Sequence, residues 1–225
     1  MQNNVNLNST FFLDSDSEVV KEFVQKLNLE NLSEINKAIK VYLAVRDEIR
    51  YDPYNIILTP EEVRASSVIK RGYGFCVEKA VALAACARAA GIPAKIGFAN
   101  VKNHLNSKRL QNLMQSDVFV FHGYTELFLE GKWVKATPAF NTSLCERAKI
   151  LPLEFNGKED SIFHAFDVSG KKHMEYLVDH GSFSDLPFDR MMDEYDKFYS
   201  HLHVKESKSF GARIKAKFEE EVSSM

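Results

Sequence analysis

The chain has 225 residues, 45% of them hydrophobic and 27% charged, with a formal net charge of −2. This length and composition are typical of a globular domain with its own core, and the small net charge gives no reason to expect nucleic acid or an anionic membrane surface as a partner. No apolar run reaches the roughly 18 residues of a transmembrane helix, so no membrane partner is expected.

The three cysteines have no CxxC spacing, which argues against a disulfide framework or a structural zinc site. The N-terminal segment MQNNVNLNST is polar and lacks the basic and apolar regions of a signal peptide, so a cytoplasmic location is expected. No cluster of His, Cys and carboxylate residues has the spacing of metal ligands, and we therefore expect no metal and no other cofactor.

Three helix starts are predicted in the first third of the chain, after residues 1–14, which are expected to form a polar arm or a short edge strand. Ser15 precedes Glu18 by three residues, which is the spacing of a capping box before an apolar helical stripe. Ser33 opens a second amphipathic helix. The TPEE segment at Thr59–Glu62 has proline in the first turn and indicates a third helix.

The next predicted helix begins near Cys76 and ends at Gly91, with Pro93 beyond it. The segment AKIGFANV follows as a strand, and residues 103–116 form a polar excursion with room for a short helix.

A β-hairpin is the clearest strand signal, in DVFVFHGYTELFLEGKWVKATPAF. Two alternating runs meet at Glu130-Gly131, which is a plausible two-residue turn. That turn places Phe128 opposite Trp133 and Glu126 opposite Lys135. If the pairing continues past Pro138, His122 lies opposite Ala139 and has Thr137 and Asn141 as diagonal neighbours on one face.

The last third of the chain is less periodic. LPFDRMMDEYDKFYSHL predicts a helix, and the last twenty residues predict a charged helix. We interpret the chain as one α+β domain, with a core at residues 1–141 that includes the N-terminal helices. Residues 142–225 are then a C-terminal extension packed on or near the core.

Cys76 lies between a loop containing Gly72 and Gly74 and the start of an alanine-rich helix. Helix N-termini favour a thiolate, and their N–H groups can also stabilise an oxyanion, so this placement suits a nucleophile. The alternative is that Cys76 is a small buried residue, as we expect of Cys86 and Cys145.

A cysteine nucleophile needs a base, which is usually histidine. Of the seven histidines, His122 lies in the middle of an apolar strand, where burial of a polar side chain is costly unless it is hydrogen-bonded. A hydrogen-bonded core histidine is the alternative interpretation. Thr137 or Asn141 could orient the imidazole of His122 through its second nitrogen.

Three segments together resemble the transglutaminase-like superfamily of papain-type Cys-His-Asp enzymes, over roughly residues 35–141. They are YLAVRDEIRYDPY, then RGYGFCVEKAVALAACARAAGIPAKIGF, then FHGYTELFLEGKWVKATPAF. The resemblance implies that Cys76 is the nucleophile and His122 its general base. It also implies a papain/transglutaminase-like α+β fold, in which the helix bearing the cysteine packs on an antiparallel sheet bearing the histidine.

One position departs from the family pattern. The family usually carries aspartate four residues after the tryptophan of the hairpin, and here that residue is Thr137, before Pro138. A carboxylate would hold the histidine tautomer and stabilise the imidazolium. A threonine hydroxyl brings no charge, whereas Asn141 offers an amide oxygen and Asp167 offers a carboxylate if the extension folds back.

The expected function is acyl transfer from a peptide or protein amide through a thioester on Cys76, with water as the acceptor, as in a protease or amidase. An amine acceptor would make the protein a crosslinking transglutaminase. The third candidate is a non-catalytic binding module for a peptide or glycan, which the substitution at Thr137 favours. A redox role for Cys76 would need a nearby resolving cysteine, and Cys86 is ten residues away.

Overall fold

The computed structural model describes residues 5–103, 107–162, 174–210 and 218–222. In the first half of the chain the elements are α1 (Glu18–Gln25), α2 (Glu34–Glu48), β1 (Arg50–Tyr51), α3 (Ala65–Arg71), β2 (Tyr73–Gly74), α4 (Cys76–Ala89) and β3 (Ala94–Asn103). In the second half they are α5 (Lys108–Met114), β4 (Val118–Leu129), β5 (Lys132–Ala136), α6 (Thr142–Ala148), β6 (Met174–Phe183), α7 (Phe188–Phe198), α8 (Val204–Ser207) and α9 (Phe218–Val222).

An antiparallel sheet of four strands, in the order β5-β4-β3-β6, forms one layer of the molecule. Helix α4 packs against β4 and β3, and α1, α2 and α3 surround its other sides. The two-residue strands β1 and β2 pair in parallel just before α4. This arrangement confirms the α+β fold with a cysteine-bearing helix on an antiparallel sheet.

The hairpin has the predicted turn and register. Glu130 and Gly131 both have positive φ, 48° and 87°, as a two-residue turn of type I′ requires. Phe128 pairs with Trp133, and the predicted pairing between the other strand residues is also present. The ladder ends where Thr125 pairs with Ala136, because the chain then turns to make a parallel bridge with Ser161.

The pairing considered beyond Pro138 is therefore absent. The Thr137 N–H donates to the carbonyl of Ser161 instead of pairing with β4. His122 does not lie opposite Ala139, and the register argument that made Asn141 its diagonal neighbour does not apply.

Helix α4 is surrounded by protein. All its residues from Cys76 to Arg88 are buried, and most are alanine, valine or leucine. Small side chains allow neighbouring elements to approach the helix closely, and the Thr125 hydroxyl donates to the Ala80 carbonyl at 2.9 Å. Since burial of apolar surface is the main stabilising contribution to folding, this helix is the centre of the core that fixes the site.

Two cations on α4 are buried, and both are hydrogen-bonded to carbonyl groups. The ammonium of Lys79 donates to the carbonyls of Arg46 and Ile49, at the end of α2. The guanidinium of Arg88 donates to carbonyls in three other segments, including that of Ala94. Burial lowers the pKa of Lys79 to about 7, since a charged amine is costly away from water. These bonds fasten α4 to its surroundings at both ends.

The first and third helix starts differ from the predicted ones. The N-cap of α1 is Ser17 rather than Ser15, and its hydroxyl accepts from the Val20 N–H. At Thr59 the chain makes a single turn, and α3 begins at Ala65. The carboxylate of Asp14 accepts from the N–H and hydroxyl of Ser66, so α3 is capped by a residue distant in sequence.

Strand β6, from the segment predicted as a C-terminal extension, completes the sheet beside β3. The division at residue 141 stays a prediction. In the described ranges no helix combines the length and apolarity needed to cross a bilayer. Those ranges also contain no cluster of three or more His, Cys, Asp or Glu side chains arranged to hold a metal ion.

Candidate active site

Cys76 is the first residue of α4, as predicted, and the loop before it is fixed by ion pairing. The carboxylate of Glu78 accepts from the Phe75 N–H at 3.1 Å and from the guanidinium of Arg71 at 2.7 Å. Glu78 is buried, and Arg71 also donates to the Tyr73 carbonyl. These contacts hold the backbone on either side of Cys76 and so fix the position of the thiol.

Gly123 brings the start of α4 against the strand that bears His122. A Cβ atom at this position would lie 2.8 Å from the Cα of Val77 and 3.3 Å from the carbonyl oxygen of Cys76. Such a close approach between two backbones is possible only where no side chain intervenes. Cys76 and His122 are thus brought to the same junction between helix and strand, because His122 immediately precedes Gly123.

A β-bulge lies directly before His122. The pairing of β3 with β4 shifts between Ala99 and Val101, and Phe121 takes a positive φ of 57°. The side-chain oxygen of Asn100 accepts from the Phe121 N–H at 3.0 Å and contacts a ring nitrogen of His180 at 2.8 Å. Bulges redirect side chains next to active sites, and strain in a bulky residue is maintained only where its surroundings impose it. The bulge therefore fixes the direction in which the side chain of His122 projects from β4.

His122 is held as a neutral imidazole. Its side chain is 5% exposed, and burial lowers its pKa to about 4. Within the described residues its Nδ1 atom has no hydrogen-bond partner. An unpaired buried nitrogen is costly and rare, so stability alone does not account for this histidine.

Protonation of this buried imidazole should destabilise the fold in mild acid. The folded pKa of about 4 lies below the ordinary value near 6.5, so between these pH values the unfolded chain binds the additional proton and stability rises with pH. Between pH 7.5 and 5.0 the wild type should lose about 2 kcal/mol more unfolding free energy than His122→Phe. Urea unfolding at both pH values measures the difference, and Cys86→Ala should behave as the wild type does. Equal losses in wild type and His122→Phe would contradict a neutral buried His122.

The side chains predicted to orient His122 make their hydrogen bonds elsewhere. The hydroxyl of Thr137 donates to the Ile162 carbonyl at 3.0 Å. The oxygen of Asn141 accepts from the Tyr51 N–H, and its amide nitrogen donates to Ser143 and Glu219. The β4–β5 ladder ends at Ala136, before either residue.

Asp167 lies outside the described residues. A catalytic role for Thr137, Asn141 or Asp167 stays a prediction, as do the roles of Cys76 and His122.

Burial dominates the electrostatics of the thiol. Cys76 is 7% exposed, and desolvation raises its pKa to about 12. Hydrogen bonding from the backbone of Gly123 and Val77 lowers the pKa, whereas the nearby Glu78 carboxylate raises it. The lowering expected at a helix N-terminus is thus outweighed in this closed arrangement, and Cys76 is a neutral thiol at neutral pH. Cys86 and Cys145 are also buried.

An apolar cavity of about 30 Å³, roughly the share of one water molecule, borders Cys76. Aromatic residues of the C-terminal extension cover it, namely Tyr195 of α7, Tyr199 at the C-terminal end of that helix, and Phe210. Phe210 packs edge-on against both tyrosines. We call these three residues the aromatic cover. No local motif in the sequence indicates a role for them, although the spacing of four residues between Tyr195 and Tyr199 would place both on one face of a helix.

Two solved structures resemble the chain at low sequence identity. A proposed cysteine protease from Cytophaga hutchinsonii has 17% identity and a TM-score of 0.47, with 81% of this chain and 54% of that chain covered. A proposed protease from Parabacteroides distasonis has 20% identity and a TM-score of 0.38, with 56% and 25% covered. The chain thus spans about half the length of the first protein and a quarter of the second.

No curated protein matches the sequence. The profile named Transglut_core, of the transglutaminase-like superfamily, matches residues 21–138, which is just over half of the chain. The matched region runs from α1 to the end of the hairpin and contains both Cys76 and His122. The chain belongs to the transglutaminase-like superfamily.

Proposed function

We propose that the protein is a cysteine-nucleophile enzyme that hydrolyses an amide bond of a peptide or protein through a thioester on Cys76. The observation that supports this most directly is the contact at Gly123, where the first turn of α4 meets β4 beside His122. A thiol and an imidazole separated by 46 positions in sequence are thereby placed on adjoining backbone segments in a buried site. Such a pair can perform nucleophilic and acid–base catalysis.

The reaction would start from the neutral pair. As the thiol of Cys76 attacks the amide carbonyl carbon, its proton passes to the imidazole of His122. The N–H groups at the start of α4 are oriented to stabilise the oxyanion that develops. The imidazolium then gives its proton to the departing amine, which leaves an acyl-thioester. Water attacks the thioester while His122 accepts its proton, and proton return to sulfur releases the carboxylic acid.

In this proposal, packing and the bulge take over part of the role that a carboxylate has in related enzymes. A carboxylate beside histidine sets its tautomer and stabilises the imidazolium. Here Asn100 fixes the backbone of Phe121, and the buried surroundings of His122 restrict its ring. We therefore expect a correctly placed imidazole that lacks full charge stabilisation, and a slower enzyme than one with an intact triad.

Two other functions differ from hydrolysis, one in the acceptor of the acyl group and one in the absence of catalysis. An amine in place of water would give transglutaminase crosslinking by the same acyl-enzyme. A non-catalytic module that binds a peptide is favoured by Thr137, whose hydroxyl donates to the Ile162 carbonyl. Trapping of an acyl-enzyme separates the enzyme from the binding module, and the choice of acceptor separates hydrolysis from crosslinking.

Acetylation by p-nitrophenyl acetate tests the proposal. Peptide mapping by mass spectrometry should find the acetyl group on Cys76 in the wild type, at a rate at least about 100 times that in His122→Ala, in line with general-base assistance. Cys86 and Cys145 are buried thiols in the same molecule and serve as internal controls. Equal acetylation of the three cysteines, or a rate that is the same without His122, would overturn the enzyme proposal. Addition of monodansylcadaverine then shows whether the acetyl group passes to water or to an amine.

A further inference from the structure

One edge of β4 has lost its strand partner next to the candidate site. Strand β5 pairs with β4 only from Thr125 to Leu129. Nearer the start of β4, at Val118–Phe121, no strand pairs on that side within the part of the chain that the structure describes. An unpaired strand edge presents N–H and carbonyl groups that can bind another chain.

The hydroxyl of Tyr199 takes the place of a strand residue at this edge. It accepts from the Val120 N–H at 2.9 Å and donates to the Val118 carbonyl at 3.0 Å. In an antiparallel ladder, Phe119 would lie in a non-hydrogen-bonded pair, and the two residues flanking the one opposite it would make the same two bonds, one through its carbonyl and the other through its N–H. The hydroxyl of Tyr195 also lies 3.5 Å from the Phe121 carbonyl. The aromatic cover thus satisfies the groups that an added peptide strand would satisfy.

The same edge borders the thiol. Phe119 and Val120 line the apolar cavity together with Cys76 and the aromatic cover. His122 follows two residues after Val120. A peptide that replaced Tyr199 along this edge would therefore run past Cys76, with its main chain fixed by hydrogen bonds and its side chains facing an apolar wall.

We propose that the Val118–Val120 edge of β4 binds an extended peptide as an added antiparallel strand, in the place that Tyr199 occupies in the closed protein. This inference rests on the proposed function and specifies its substrate class as an unfolded or extended polypeptide segment. The substrate is recognised through its main chain, and it gains access to Cys76 by displacing the aromatic cover.

Displacement of the cover also changes the chemistry of the site. Burial raises the pKa of Cys76 and lowers that of His122. Movement of the aromatic rings away from the cavity admits water or substrate to Cys76, so the pKa of its thiol moves back towards the ordinary range and loss of its proton becomes easier. The closed arrangement thus lowers the reactivity of the thiol, and a bound peptide raises it.

Tyr199→Phe removes the hydroxyl while it keeps the ring. The probes are iodoacetamide, acetyl-Ala-Ala-Ala chloromethyl ketone and the same tripeptide ketone with N-methylated amides. Tyr199→Phe should raise the rate of Cys76 alkylation by a factor that is about ten times larger for the tripeptide ketone than for the N-methylated ketone. This ratio corresponds to about 1.4 kcal/mol of main-chain hydrogen bonding. Tyr42→Phe, which loses a buried tyrosine hydroxyl bonded to the Thr137 and Leu153 carbonyls, is the matched control and should not change the ratio.

Hydrogen exchange at the Val120 amide gives a second readout. In Tyr199→Phe this amide should exchange about ten times faster than in the wild type, since its acceptor is gone. Attachment of the tripeptide ketone to Cys76 should restore protection, whereas attachment of iodoacetamide should not. Phe210→Leu loosens the cover without touching the edge, and serves if Tyr199→Phe does not fold.

Equal rates for the two ketones, or a Val120 amide that stays unprotected after tripeptide attachment, would overturn the inference. Alkylation of a thiol requires no acyl transfer, so these results are independent of acetylation by p-nitrophenyl acetate. If the attached tripeptide protects the Val120 amide but His122 does not accelerate acetylation, the binding edge stands and the enzyme proposal fails. If acetylation depends on His122 but the attached tripeptide leaves the Val120 amide unprotected, the enzyme proposal stands and the binding edge fails.

Discussion

Replacement of Cys76 by alanine should reduce the His122-dependent turnover of p-nitrophenyl acetate by at least about a thousandfold, as removal of the nucleophile does in enzymes with a catalytic triad. No other described side chain at the junction of α4 and β4 offers a thiol to form the acyl-enzyme, since Cys86 and Cys145 are buried elsewhere in the core. The measurement is p-nitrophenolate release at several substrate concentrations.

The fold should tolerate this change. Alanine fits the space of a buried cysteine, so the free energy of unfolding should fall by only about 1 kcal/mol. Cys86→Ala is the matched control, because Cys86 is buried in the same helix but ten residues from the start of it. Retention of more than a tenth of the turnover in Cys76→Ala, or a similar loss in Cys86→Ala, would rule out Cys76 as the nucleophile.

Gly123→Ala should have the second largest effect, through geometry rather than chemistry. The added Cβ would meet the Cα of Val77 at 2.8 Å, and backbone atoms cannot rotate away as a flexible side chain can. Helix α4 must shift relative to β4, which should cost about 1–3 kcal/mol of stability. A shift of this size in the nucleophile should lower turnover by about a hundredfold.

Denaturant unfolding and turnover, measured together, separate the two effects of Gly123→Ala. Gly131→Asn is the control, because a Cβ added at that glycine would have no atom within 4 Å other than those of its chain neighbours. Gly131 has a positive φ of 87°, a conformation that asparagine adopts readily. The control should keep turnover within about twofold of wild type and lose less than about 1 kcal/mol of stability. Full turnover in a folded Gly123→Ala would show that the close approach of α4 to β4 is not required.

Local patterns in the sequence were sufficient to predict the elements that carry the pair. The Glu130-Gly131 turn fixed the register of the hairpin, because a type I′ turn leaves only one alignment of the flanking residues. The bounds of α4 were predicted correctly from the glycines before Cys76 and from the helix-ending segment Gly91-Ile92-Pro93. These signals act over fewer than about six residues, which is the range in which turns and caps are encoded.

Features that depend on distant contacts were not predictable in this way. Asp14 caps the N-terminal end of α3 and Ser161 ends the β4–β5 ladder, and each lies far along the chain from the element that it affects. The bulge at Phe121 requires Asn100, and nothing near His122 in sequence indicates it. The aromatic cover lies some 80 positions beyond the strand that it contacts.

The thiol environment shows how magnitudes decide between two effects of opposite sign. A helix N-terminus favours an adjacent negative charge by about 0.3–1 kcal/mol. Removal of an ion from water costs several kcal/mol. Because Cys76 is both at a helix start and buried, the second effect prevails in the closed protein. A sequence identifies the helix start but not the burial, so the direction of the pKa shift required the structure.

The bond between Tyr199 and Val120 has a consequence for biosynthesis. Its partners are 79 positions apart, and a ribosome adding roughly 5–20 residues per second needs about 4–16 s to travel that distance. Throughout that interval the emerging chain already contains α4, β3 and β4, while the residue that closes the β4 edge has not been made. The nascent protein therefore passes through a period in which the unpaired β4 edge and the thiol are both exposed, and this period ends only when Tyr199 has been synthesised and binds the edge.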